Sequence, residues 1–276
     1  MPGDLQTRMV AMLADLRQQE AALDKLLGSL GPKDWDMASA APGWTVKDQV
    51  FHISYFDRVA ADVVVAPDRF LAALPGILAD SDRYMINHLA PGRAQTPTEV
   101  LDGWQCSRAA MLETFGKADP RARHPWFGPD MSTASFATAR LMEIFAHGQD
   151  IADGLNRRLD NDAGLSHIAH LGVITRSFSY VTRGLPAPRT PVHVVLDMPD
   201  SATREWGPPD AADTIRGPAR DFCLVVTQRR HPSDTGLEIL GQAAAEWMSI
   251  AQAFAGKPGV GRQPGQFPRE QEGMKR

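Results

Sequence analysis

Apolar residues recur along the start of the chain at Leu5, Met9, Met12, Leu16, Leu23, Leu26 and Leu30. Spacings of three and four place them on one side of a helix over about 4–30, with a polar gap at Gln19. The stripe stops after about four heptads, which suits one helix of a bundle better than a dimer seam. Gly31-Pro32 ends it. A second helix opens at Thr45, an N-cap residue, with Asp48 at the third helical position of a capping box. Val46, Val50, Ile53 and Phe56 trace its apolar face, and His52 lies beside that face. Pro67, Pro75 and Pro91 break 60–95 into pieces, with a short helix near 69–79; Arg83, Tyr84, Asn87 and His88 are candidates to line a pocket there.

Thr96-Pro97-Thr98-Glu99 starts a third long helix, with Val100, Leu101, Trp104, Ala109, Leu112 and Phe115 on its buried side. The stretch 116–130 is a loop over the site, with Trp126-Phe127 as its apolar content. A fourth helix runs over about 132–155. A fifth spans 163–182, with Leu165, Ile168, Leu171, Ile174, Phe178 and Val181 on one side.

The pattern then changes. Three prolines in Gly184–Pro191 read as a linker. Val192–Asp197 is rich in β-branched residues and reads as a strand. Short strands follow at 203–206 and 214–216, then a helix over 218–230, a strand over 237–240 and a last helix over 243–254. The predicted class is α+β: a four- or five-helix bundle over 1–183, the linker 184–191, a small α/β domain over 192–256 and a mobile tail from 257 to 276.

With 276 residues, 43% of them hydrophobic, the chain can fill one large domain or two ordinary ones. A net charge of -4 gives no electrostatic case for nucleic acid. Cys106 and Cys223 are the only cysteines, which argues against a disulfide scaffold and fits a reducing compartment. Each sits beside apolar residues on a predicted helix and reads as an inert, buried thiol. The N-terminus lacks the regions of a secretory signal, and no apolar run is long enough to span a bilayer. The expectation is a cytoplasmic protein, monomer or homodimer, with a small-molecule partner.

The chemistry gathers in Arg140-Leu-Met-Glu143-Ile-Phe-Ala-His147-Gly-Gln-Asp150. On a helix, Glu143 and His147 stand one turn apart on the same face, a spacing that suits a transition metal. An i, i+4 surface pair would look the same. Met142, Ile144, Phe145 and Ala146 point instead to a buried segment, where a carboxylate must be paired or coordinated. A catalytic zinc takes three protein ligands, and His52 is the best third candidate. Asp48, one turn before His52, is expected to orient its ring through the second nitrogen. Asp150 could be a fourth ligand, a base or a hydrogen-bond partner of a ligand; the last is favoured. His167 and His170 are also a turn apart but have no acidic partner nearby, so they are not read as ligands. Arg229, Arg230 and His231 could bind an anion such as a carboxylate, or complement a helix C-terminus. Phosphate loops, Gly-x-Ser-x-Gly elbows and kinase signatures are absent.

Two stretches, Gly43-Trp44-Thr45-Val46 with His52 and Glu143 with His147-Gly148-Gln149-Asp150, resemble the N-terminal domain of mycothiol-dependent maleylpyruvate isomerases. That domain is of the DinB-like superfamily of metal-binding helical bundles. The resemblance covers roughly 5–180, and a small α/β domain follows in those isomerases too. It implies zinc held by His52, Glu143 and His147, mycothiol as cosubstrate, and an arginine of the C-terminal domain for the substrate, for which Arg229 and Arg230 both remain candidates. The Phe-Cys-Leu-Val-Val-Thr-Gln-Arg-Arg-His-Pro run at 222–232 is closer to an uncharacterised actinobacterial branch. The function expected is that of a metal-dependent, thiol-using isomerase or transferase acting on a small carboxylated electrophile. Two other classes use the same ligands: a noncatalytic metal or small-molecule binder, and a hydrolase that activates water on the metal.

Overall fold

The structure is a computed structural model describing residues 2–267. The last part of the expected tail, 268–276, lies outside the described residues. The chain forms two compact units that divide between Ala163 and Gly164.

In the first unit, helix α1 is Pro2–Gly28 and a 3-10 turn at Pro32–Asp36 follows it. Helices α2 (Val46–Val65), α3 (Pro67–Ala79), α4 (Ser81–Asn87), α5 (Ala90–Arg93) and α6 (Pro97–Lys117) come next. A two-stranded ribbon, β1 (Arg123–His124) with β2 (Met131–Ser132), leads into α7 (Thr133–Gly154). The four long helices make the bundle: α2 lies against α6 and α7, and α1 against α7 and α6. The α1 stripe is therefore spent within the chain; Met9, Met12, Leu16, Leu23 and Leu26 are buried, joined by Leu13 and Leu27.

Capping residues set where these helices begin. The Thr45 side chain accepts from the Asp48 N–H while the Asp48 carboxylate accepts from the Thr45 N–H, and Thr96 and Glu99 repeat the arrangement for α6. Pro67 and Pro91 open helices at their first turns, where the missing N–H costs nothing. Pro75 instead lies inside α3, which runs on past it. Gly92 lets α5 approach α2 closely, because a Cβ there would sit 2.2 Å from the Phe51 ring.

The polar gap in α1 is not a solvated one. Gln19 and Glu20 are both buried, and the Gln19 amide donates to the Ala163 carbonyl at 2.6 Å. Close by, Arg140 of α7 donates to Asp57 of α2 at 2.9 Å in a buried ion pair. Burial first, and then the neighbouring Asp57 carboxylate, push the Glu20 carboxyl up to about 8 against the pull of Arg108, Arg140 and Arg17.

The second unit opens with α8 (Leu165–Ile174) and α9 (Arg176–Val181). These replace the single helix expected over 163–182, and α8 packs on a helix of its own unit. The sheet follows: β3 (Val192–Asp197), β4 (Thr203–Trp206), β5 (Asp213–Pro218) and β6 (Glu238–Leu240), with α10 (Ala219–Val226) and α11 (Gln242–Ile250). Strand order is β4-β3-β5-β6, with β3 and β5 parallel and the outer pairs antiparallel. Helix α10 packs on α8, and Phe222, Cys223 and Trp247 fill the core beside Val194, Leu196 and Ile215.

Helix α10 stops four residues before the expected end at Arg230. Gln228 takes a left-handed φ of 61°, the Gln228 N–H donates to the Val225 carbonyl and the Arg229 N–H donates to the Leu224 carbonyl at 2.7 Å. This is a Schellman closure built on glutamine where glycine is usual, so the usual stop signal is missing from the sequence.

Candidate metal centre

Three donors from two helices converge in the first unit. The capping box fixes the start of α2 and carries His52, two turns on, to the buried side. On α7, Glu143 and His147 face the same way, His147 Nε2 lying 3.1 Å from Glu143 Oε2. One donor atom from each of His52, Glu143 and His147 lies within 4.8 Å of the others. Among the described residues this is the group of three or more such side chains that could hold an ion. Donors about 2.1 Å from one tetrahedral ion lie about 3.4 Å apart, so two nitrogens and a carboxylate at this separation fit a first-row divalent ion after small adjustments. Glu143 keeps a side-chain exposure of 25%, so the cluster opens on its carboxylate side.

Each imidazole has a second partner, and neither is the expected one. His52 Nδ1 lies 2.8 Å from Nε2 of His88, whose own Nδ1 is 2.7 Å from the Met85 carbonyl. His147 Nδ1 lies 2.6 Å from Gln49 Oε1, and the Gln49 amide donates to Ser39 Oγ at 2.9 Å. Asp48 does not take the orienting role predicted for it. Its carboxylate accepts from Arg93 Nε and Nη2 at 2.9 and 3.0 Å and from the Thr45 N–H at 3.1 Å. The capping box turns the side chain back toward the first turn, away from the next one. Burial would raise the Asp48 pKa, but Arg93 and Thr45 outweigh it and hold the carboxyl below its usual range. Asp150 is buried one turn beyond His147, and its backbone carbonyl accepts from the Ala40 N–H at 2.9 Å. It is not among the three convergent donors.

Aromatic rings wall the site. Trp44 stacks on His147, 9° from parallel with ring centres 6.1 Å apart, and lies 4.9 Å from the His52 ring. Phe56 is 4.7 Å from His52, and beyond it stand Trp126 and Phe127 of the loop before β2, both against Phe70. Of the four pocket candidates before residue 90, Tyr84 and His88 join this wall, and the Tyr84 hydroxyl meets that of Tyr55 at 2.8 Å. Arg83 and Asn87 are exposed. Burial, the first cause, lowers the His88 pKa, which keeps its ring neutral at neutral pH.

The arginine candidates belong to the second unit. Arg230, with His231 and Arg262, lines a shallow hollow of about 30 Å³, and its guanidinium lies 5.1 Å from the Phe267 ring centre. Arg229 turns one guanidinium nitrogen to the Thr227 carbonyl at 2.6 Å. Both lie past the end of α10 and not on it. In the same unit His170 accepts from the Trp206 indole at 3.2 Å.

Sequence reasoning named the three donors and missed the partners of the two rings. Gln49 gave little to find, being an uncharged residue on α2; His88 was a pocket candidate, but it stands 36 positions after His52 in a segment cut by prolines, so its pairing with that ring did not show.

Residues 16–152 match the family model described as the mycothiol maleylpyruvate isomerase N-terminal domain, and 170–245 match that of the C-terminal domain. Uncharacterised proteins from two strains of Mycobacterium tuberculosis, H37Rv and CDC 1551, are each 40% identical over 250 residues, 91% of this chain and 97% of theirs. A crystal structure of the mycothiol-dependent maleylpyruvate isomerase aligns with a TM-score of 0.56 at 13% identity, over 80% of this chain and 90% of that one. A mutant of that isomerase aligns with a TM-score of 0.57 at 12% identity. At such identities the likeness is one of fold. Among the described residues no helix is long and apolar enough to cross a membrane.

Proposed function

Because the chain belongs to the mycothiol maleylpyruvate isomerase family, carrying both of its domains in order, we propose that it is a metal-dependent enzyme that uses a low-molecular-weight thiol. The single observation that carries this reading is the convergence of His52, Glu143 and His147. Two neutral imidazoles and one carboxylate place a charge of -1 around a divalent ion and leave a position open, a donor set that suits zinc. When bound, the ion supplies net positive charge that favours the thiolate form of a thiol beside it.

The chain's own residues do the rest. His52 and His147 approach from different helices, so the bundle must be folded before all three donors meet. Trp44 and Phe56 lay apolar ring surface against the histidines, with Trp126 and Phe127 beyond Phe56, which lowers the local dielectric and strengthens charge interactions in the cluster. The structural relatives are a mycothiol-dependent maleylpyruvate isomerase and its mutant. For this chain the same classes are proposed: mycothiol or a similar thiol as cosubstrate, and a small unsaturated or otherwise electrophilic acid as substrate. Addition of the thiolate, bond rotation and departure of the thiol would make an isomerase; retention of the thiol would make a transferase. Arg229 and Arg230 both remain candidates to bind the substrate's carboxylate.

The test is a panel of thiols against small electrophilic acids, before and after chelation. Activity that needs mycothiol, vanishes on chelation and returns with Zn2+ is expected. Turnover by metal-free protein would sink the proposal. Turnover without any thiol would indicate a hydrolase, and metal uptake without turnover a binding protein.

A further inference from the structure

His88 and Gln49 are buried against the two histidines and have no part in the reading above. The hydrogen-bond path through each of them ends on a backbone carbonyl, and a carbonyl only accepts. On one side, His88 Nδ1 lies 2.7 Å from the Met85 carbonyl, so the proton of the neutral ring is on Nδ1 and Nε2 is an acceptor. That Nε2 is 2.8 Å from His52 Nδ1, which must then be the donor. The lone pair of His52 falls on its Nε2.

On the other side, Ser39 Oγ gives its one proton to the Trp44 carbonyl at 3.0 Å, and therefore accepts from Gln49 Nε2 at 2.9 Å. This sets the orientation of the Gln49 amide. Its Oε1 faces His147 Nδ1 at 2.6 Å and takes that proton, so the lone pair of His147 also falls on Nε2, the atom 3.1 Å from Glu143 Oε2. Two lone pairs at that distance repel unless positive charge lies between them.

We propose that His88 and Gln49 are positioning residues that lock His52 and His147 as Nδ1–H tautomers, so that both Nε2 lone pairs are ready before a cation arrives. The proposal deepens the reading of the three donors as a metal centre and rests on it. The partner of a metal-bound histidine is ordinarily a carboxylate, a backbone carbonyl or water. Here one partner is a second imidazole and the other a carboxamide. Both are neutral, so neither adds to the charge of the donor set.

Nitrogen-15 NMR of the metal-free full chain reads the tautomer of each ring with no substitution needed. Protonation on Nδ1 of both His52 and His147 is expected. Zinc affinity is then measured with Zn2+ alone, by competition with a chelator. His88→Phe should shift His52 toward the Nε2–H form and weaken zinc binding about 10–100-fold. His88→Gln, whose amide oxygen can accept the same proton, should restore most of it, which a purely packing role would not. Gln49→Met should act in the same way on His147. Wild-type His52 protonated on Nε2, or His88→Phe binding zinc as tightly as wild type, would overturn the proposal. Wild type with both rings protonated on Nδ1 but no zinc uptake would instead sink the metal reading and leave the tautomer assignment standing.

Discussion

Helices α2 and α7 carry two buried polar clusters, and the clusters are built on opposite principles. One holds Asp57 and Arg140, with Glu20 near them; the other holds His52, Glu143 and His147. Arg140, Glu143 and His147 stand at i, i+3 and i+7, so both clusters use one face of α7. In the first, the chain provides its own cation, and the guanidinium of Arg140 sits on the Asp57 carboxylate. In the second, with the two rings held in the tautomers proposed above, the converging atoms all offer electron pairs. A closed ion pair serves the fold, whereas a set of lone pairs facing one another gains its attraction only from something added. Burial alone does not separate the two clusters; the sign of their groups does.

The contrast can be broken by substitution. His147→Ala should abolish stoichiometric zinc uptake, read by metal analysis after gel filtration, while the metal-free protein unfolds in urea much as wild type does. Arg140→Met should do the reverse. It leaves Asp57 buried without its partner and should cost about 3–5 kcal/mol in urea unfolding, with zinc stoichiometry kept in the folded fraction. If Arg140→Met lost the metal at no cost to stability, the division would be wrong.

Glu20 sharpens the comparison through pH. Its folded pKa, about 8, lies above the ordinary carboxyl value of 4.5, so between these two the native state holds a proton that the unfolded chain has lost. The contribution is full below pH 4.5 and shrinks as pH rises toward 8, by an amount on the order of a few kcal/mol. Burial also raises Asp57, which adds to the slope with the same sign. Glu20→Gln should flatten most of the slope in urea titrations at a series of pH values; an unchanged slope would remove Glu20 from the account. The smallest effect belongs to Thr45→Ala. Loss of the cap on α2 should cost about 1 kcal/mol, with zinc affinity nearly unchanged because His52 lies two turns further on.

What the sequence disclosed follows from locality. The i, i+4 pair on α7 and the capping box of α2 depend on residues within one turn of each other, and both are where the pattern placed them. The same box also explains the error over Asp48. A carboxylate that closes a helix start is already engaged, by Thr45 and here by Arg93, and has nothing left for His52. His88 was legible as a pocket candidate but not as the partner of His52, since its place beside that ring depends on how α3, α4 and α5 turn the chain back. Gln19 looked like a break in a stripe because periodicity does not register polar groups that are partnered in a core. The early end of α10 was hidden because glutamine occupies the left-handed position.

Gly154, at the far end of α7, shows how much can hang on an absent atom. A methyl group there would come within 2.6 Å of the Ala38 carbonyl oxygen and of the Ser39 Cα. Ser39 steadies Gln49 and Gln49 steadies His147. The mildest of replacements, alanine for glycine, would thus lever a strand of backbone outward and be felt by an imidazole seven positions upstream, so tolerance at this place is governed by the ring it never touches.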